Sequence, residues 1–136
     1  MDIDSSVLKS VNKYGTNDPF MITKKMGIFL FFADLGDTFG FYNCANRIKM
    51  ININDTINDI MKRFVCAHEL AHAILHPYLN VPYMRRQTLF SIDKIECEAN
   101  RFATKLLTFE TDYESWMTKE NYLKVCGIPP EMARFI

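Results

Sequence analysis

The residues best placed to do chemistry are His68-Glu69-Leu70-Ala71-His72, which fit the pattern H-E-x-x-H. On a helix, residues i and i+4 project from one face a turn apart, so two imidazoles there can reach one Zn2+ at about 2.0–2.1 Å each. Glu69 lies about 100° further round the helix. Its carboxylate can reach a water on the metal without ligating the ion, which is what a general base needs. All three histidines of the chain, His68, His72 and His76, fall on this segment or at its end. Three fixed positions also arise by chance, and hydrogen-bonded helix histidines with a solvated glutamate would look the same. The pattern therefore needs a second group of residues behind it.

A peptidase zinc takes three protein ligands and leaves a position for water. His76 lies one turn beyond His72, but it directly precedes Pro77 at the expected helix end. Three ligands spread along one face would span about 12 Å of axis at 1.5 Å per residue, too far for one ion to collect easily. The longer pattern H-E-x-x-H-x-x-G-x-x-H is absent, because Leu75 and Tyr78 hold its Gly and His positions. His76 reads better as a helix-end residue or as a partner behind a ligand. The stronger candidate is in Ile95-Glu96-Cys97-Glu98-Ala99-Asn100. There Glu96 and Asn100 share a face beside the apolar stripe Ile92, Ile95, Ala99 and Ala103, and Glu98 points about 200° away from Glu96, to solvent. A carboxylate turned towards a core needs a charge partner, and zinc would serve. Asn100 could accept a hydrogen bond from the free N–H of a ligating histidine. A surface carboxylate in an i to i+4 pair is the plainer reading of Glu96.

These groups must be positioned by the elements around them. Helical spacing of Val7, Leu8, Val11 and Tyr14 predicts a helix over 5–14, and a second runs from the Asn17-Asp18-Pro19 turn to about Met26, ended by Gly27. Three short strands follow over 28–32, 38–42 and 47–53, separated by turn-forming stretches, which predicts an antiparallel meander. From Thr56 the period changes. Ile57, Ile60, Phe64, Ala67, Ala71 and Ile74 recur at steps of three and four, until Pro77 stops the helix. A loop over 78–90 leads to a helix from about Ser91 to Leu107, and two short helices flank Gly127-Ile128-Pro129-Pro130. The expected fold is α+β: a small three-stranded antiparallel sheet packed on an active-site helix, with further helices, in one domain over residues 1–136. With the chain ending soon after Pro129-Pro130, no further regulatory domain is expected.

Composition limits the function. The 136 residues are 49% hydrophobic, with 16 Lys plus Arg against 16 Asp plus Glu. That suits a packed core and excludes whole-chain disorder. A neutral chain without a basic block is a poor candidate for direct nucleic-acid binding, and this also counts against a nuclease using the same metal. The most apolar run, residues 28–33, is too short to span a bilayer, and the N-terminus lacks the pattern of a secretory signal. The four widely spaced cysteines contain no C-x-x-C pair. They read as reduced thiols in a cytoplasmic protein.

The stretches 63–77 and 95–103, with Tyr14-Gly15, Asp18-Pro19-Phe20 and the strand region through Asn54, resemble the ImmA/IrrE family of metallopeptidases. The resemblance covers most of the chain, and its paired motifs are specific in combination. Ala71 departs from it, standing where the family commonly has Gly. The resemblance implies a thermolysin-like, zincin-type core with Glu96 as third ligand. It also implies cleavage of a helix-turn-helix repressor of a phage or mobile element, so derepressing genes. The expectation is thus a zinc-dependent endopeptidase with His68, His72 and Glu96 on the metal, Glu69 as base and Asn100 behind a ligand. It would act on a protein partner, with no direct nucleic-acid or membrane contact. Tyr78, Tyr83 and Arg85 are weaker candidates for oxyanion stabilisation. The alternative is a non-catalytic, zinc-containing binding module that sequesters a repressor or other protein; the presence of Glu69 counts against it, since a structural site does not need a base.

Overall fold

The computed structural model describes residues 2–136; Met1 lies outside them. Its elements run in the order α1 (Ile3–Tyr14), α2 (Pro19–Lys25), β1 (Phe29–Ala33), β2 (Gly40–Ala45), β3 (Ile48–Asn54), α3 (Asp59–Leu75), α4 (Lys94–Leu107) and α5 (Lys119–Cys126). Two 3-10 turns, Arg86–Phe90 and Pro130–Phe135, precede α4 and follow α5. Local chemistry explains the helix ends. Asp2 caps α1 by accepting from the backbone of Asp4 and Ser5, and Asp18 caps α2 with Pro19 in its first turn. Asn58 caps α3 by accepting from Met61 N–H.

The fold is α+β with three strands, as the periodicities predict, but the sheet is not an antiparallel meander. Its order is β1-β3-β2, with β1 parallel to β3 and β2 antiparallel to β3. Only β2 and β3 form a hairpin. Asn46 and Arg47, both at positive φ (53° and 65°), make its two-residue turn. The stretch between β1 and β2 reads locally as another hairpin turn, yet it crosses the end of β3 instead. Asn54, almost fully buried at the end of β3, organises that crossing. Its amide donates to the carbonyls of Gly36 and Thr38, both at 2.9 Å, and its oxygen accepts from Thr56 N and Oγ1 at 3.0 and 2.8 Å. Asn54→Leu would strip partners from several backbone groups at once. It should cost about 2–4 kcal/mol, since each buried group left unpaired costs about 1–3 kcal/mol; urea unfolding of the two proteins measures this.

Helix α3 is the centre of the molecule. From Phe64 to Ala73 every residue is buried, so the helix is enclosed all round rather than amphipathic. Its exposed end holds Ile60, assigned to the buried stripe by periodicity but 62% exposed. Both the sheet, through β2 and β3, and α4 pack directly on α3. Strand β2 approaches α3 so closely that a Cβ on Gly40 would stand 2.6 Å from Val65 Cγ1 and 2.8 Å from Asn52 O. Only glycine fits that contact. Helix α4 begins at Lys94, later than expected, because Ser91 Oγ accepts from Asp93 N at 3.1 Å and holds the preceding residues extended. Ile92 is consequently outside the helix and exposed, not part of its apolar stripe.

Candidate metal centre

Helices α3 and α4 pair residue by residue. His68 meets Asn100 and His72 meets Glu96. A step of four forward on α3 matches a step of four back on α4, so the helices are antiparallel and each offers one face to the other. His68, Glu69, His72 and Asn100 are fully buried and Glu96 nearly so. His72 Nε2 lies 2.8 Å from Glu96 Oε1, and His68 Nε2 lies 3.4 Å from the same oxygen. Glu69 Oε1 is 4.0 Å from His68 Nε2. Ligand atoms of His68, Glu69 and His72 all fall within 4.8 Å of one another.

The hydrogen bonds assign the His68 tautomer. Asn100 Nδ2 donates to Thr88 O at 2.9 Å, so its oxygen faces His68 Nδ1 at 2.8 Å. His68 Nδ1 therefore carries the proton and donates it, leaving a lone pair on Nε2. That nitrogen is buried without a hydrogen-bond partner, as are both carboxylate oxygens of Glu69. Unpaired buried polar atoms of this kind are costly. A cation shared by His68, His72 and Glu96, with water beside Glu69, would satisfy them all, so the donor set fits a divalent metal that accepts nitrogen and oxygen ligands.

The electrostatics agree with a site built for separate roles. Burial raises Glu69 to about 7, with His68 opposing and Glu96 adding to the rise. Burial works against the charge on Glu96, but its close contacts with the His68 and His72 rings hold it at about 2. Burial also pushes His72 down to about 4, against the pull of Glu96. For His68, burial lowers the pKa, but its contacts with Glu96 and Glu69 outweigh this and raise it. Glu96 is thus a firm anion beside a neutral His72, and Glu69 is the carboxyl whose proton is easily gained or lost.

Other sequence candidates fall differently. Glu98 does not point to solvent: its Oε1 lies 3.0 Å from His76 Nε2, and His76 Nδ1 lies 3.0 Å from His72 Nδ1. The stripe of α4 alone does not reveal this partner, because His76 arrives from the end of α3. Tyr83 stacks on Phe41 with centroids 4.3 Å apart, Tyr78 is exposed, and Arg85 opens the 3-10 turn, its N–H donating to Thr88 Oγ1. Sequence reasoning did not single out Thr88, which holds Asn100, or Tyr42, whose hydroxyl donates to Pro77 O at 2.7 Å and fixes the end of α3. All four cysteines are free; Cys66 is buried against Thr23, and burial pushes its thiol up to about 12.

With this geometry in view, comparison with known proteins settles the family. Residues 23–129 match the peptidase family described as the IrrE N-terminal-like domain. The chain belongs to this metallopeptidase family. It is 38% identical over 136 residues to the uncharacterized immunity region protein 2 of Bacillus phage phi105, covering 96% of this chain and 86% of that one. It is also 31% identical over 107 residues to the metallopeptidase ImmA of Bacillus subtilis (strain 168), covering 77% of this chain and 62% of ImmA. Among the described residues no helix is long and apolar enough to cross a membrane.

Proposed function

We propose that this chain is a zinc-dependent endopeptidase that cleaves a helix-turn-helix repressor of a phage or mobile element and so derepresses genes. The observation that carries it is the pairing of a buried, unpartnered Glu69 with a nitrogen and carboxylate cluster on two antiparallel helices. His68, His72 and Glu96 hold the metal. Zinc bound there supplies Lewis acidity towards water and the scissile carbonyl. Glu69 takes a proton from the attacking water and delivers it to the leaving amine, the task suited to a carboxylate held near neutrality by burial. Asn100, itself held by Thr88, keeps the His68 proton on Nδ1. The choice of zinc follows from the ligand types, and the choice of a repressor from the family resemblance and the immunity-region name of the phage relative.

The substrate chain fits the outer edge of β2. Asn54 N–H donates to Phe39 O, so alternation along the ladder turns Phe41, Asn43 and Ala45 towards β3 and leaves Tyr42 and Cys44 with N–H and C=O facing outward. The Gly40 carbonyl is taken by Met84 N–H at 2.9 Å. An extended peptide would add along Tyr42–Cys44. Because His68, Glu69 and His72 are fully buried, part of the wall must move for a peptide bond to reach them. Residues 1–136 serve as one catalytic domain, acting in the cytoplasm on a protein partner, without touching nucleic acid or membrane.

The test is incubation of the zinc-loaded chain with the helix-turn-helix repressor of the element that encodes it, read by mass spectrometry. A single cut, blocked by a chelator and restored by zinc, supports the reading. An intact repressor bound stoichiometrically would replace the peptidase by a binding module.

A further inference from the structure

His76 and Glu98 have no part in the scheme above, yet they are joined to it. His72 Nδ1 lies 3.0 Å from His76 Nδ1, and His76 Nε2 lies 3.0 Å from Glu98 Oε1. The ring of His76 is held firmly. Its backbone N–H donates to His72 O at 2.8 Å, it caps α3, and the Pro77 that follows is tied down by Tyr42. His76 is 7% exposed, and the Glu98 side chain 23% exposed, so the pair lies just under the surface.

Two imidazole nitrogens at hydrogen-bond distance need one proton between them, and a carboxylate can only accept. Glu98 therefore draws the His76 proton to Nε2, which leaves His76 Nδ1 as an acceptor. That acceptor matches a His72 with its proton on Nδ1, the tautomer His72 must adopt when its Nε2 gives a lone pair to a metal instead of a proton to Glu96. The chain has a carboxylate at each end, Glu98 and Glu96; with a metal on His72 Nε2 that nitrogen carries no proton, and Glu98 sets the direction. His68 is oriented differently, by a neutral amide resting on a backbone carbonyl.

We propose that His76 and Glu98 are positioning residues that fix the tautomer and ring orientation of His72, so that metal affinity depends on a carboxylate two hydrogen bonds away. This rests on the reading of His72 as a metal ligand. Partners that hold a ligating histidine from behind typically contribute about 10–100-fold to metal affinity.

The test is zinc affinity of the full chain by chelator competition, with thermal unfolding of each metal-free protein alongside. His76→Leu should bind zinc about 10–100-fold more weakly. His76→Asn, whose Oδ1 can accept where Nδ1 did, should recover most of that loss. Glu98→Ala should weaken binding in the wild-type background but add nothing in His76→Leu, because the chain is already broken there. Wild-type affinity in His76→Leu would overturn the inference and leave the peptidase reading standing. So would equal losses in His76→Leu and His76→Asn that track a common fall in metal-free stability, which marks a packing role. An additive Glu98→Ala effect would overturn it too, since Glu98 would then act without His76. A wild-type chain that takes up no zinc would overturn both readings.

Discussion

Glu69→Gln is expected to lower peptide-bond turnover by about 10²–10⁴-fold, the usual contribution of a positioned general base, while zinc content stays at the wild-type level. The side chains are nearly the same size, so the packing around this fully buried position is kept. What changes is the ability to take a proton. Both oxygens of Glu69 lack a hydrogen-bond partner, and burial holds the carboxyl near 7. With neither oxygen engaged, the carboxylate is free to accept a proton from water. An amide cannot do this. The measurement is single-turnover cleavage of the repressor by the two zinc-loaded proteins, with repressor binding assayed separately. Lost cleavage with retained binding identifies Glu69 as the base. Unchanged cleavage would remove it from the mechanism. Derepression by a variant that cannot cut would favour a protein that works by gripping its partner.

The site was more legible in the sequence than the sheet was, for physical reasons. H-E-x-x-H and the Glu96/Asn100 pair are both patterns of i and i+4, set by the helix itself, so each can be read without knowing the partner helix. Their meeting follows once both faces are turned inward. The order β1-β3-β2 is different, because strand pairing is non-local. The residues between β1 and β2 have the chemistry of a turn whether they close a hairpin or pass over the end of β3. The decision lies with Asn54, whose bonds to the carbonyls of Gly36 and Thr38 form only after β3 is in place. Glu98 shows the same limit at the site. The stripe of α4 alone turns it outward, and only the end of α3 supplies the histidine that gives it a partner. Ile57 and Ile92 show it at helix starts, since the periodicity runs past Asp59 and Lys94, where the helices begin.

Metal content should separate the ligands from everything else near them. Purified wild type, with no metal added, is expected to carry about one zinc per chain, because structural or catalytic sites of this donor type take one ion. His72→Ala and Glu96→Ala should each lose it through purification. Glu96 is the more informative of the two. Its Oε1 lies within 3.4 Å of both histidine Nε2 atoms, and contacts with those histidines hold it at about 2 despite its burial. It is thus the one firm negative charge among the proposed ligands, and losing it removes both a donor atom and the charge that attracts the cation. The loss should exceed the about 10–100-fold expected for breaking the chain behind His72. Zinc should also cease to raise the melting temperature, whereas saturation at 100 times Kd would stabilise the wild type by about 2.7 kcal/mol. Glu98→Ala, measured beside it, should keep most of its zinc. If Glu96→Ala kept a full zinc and Glu98→Ala lost it, the third ligand would be Glu98. His76 would then lie between two ligands rather than behind one, and the chain of hydrogen bonds assigned to it would have to be read as coordination.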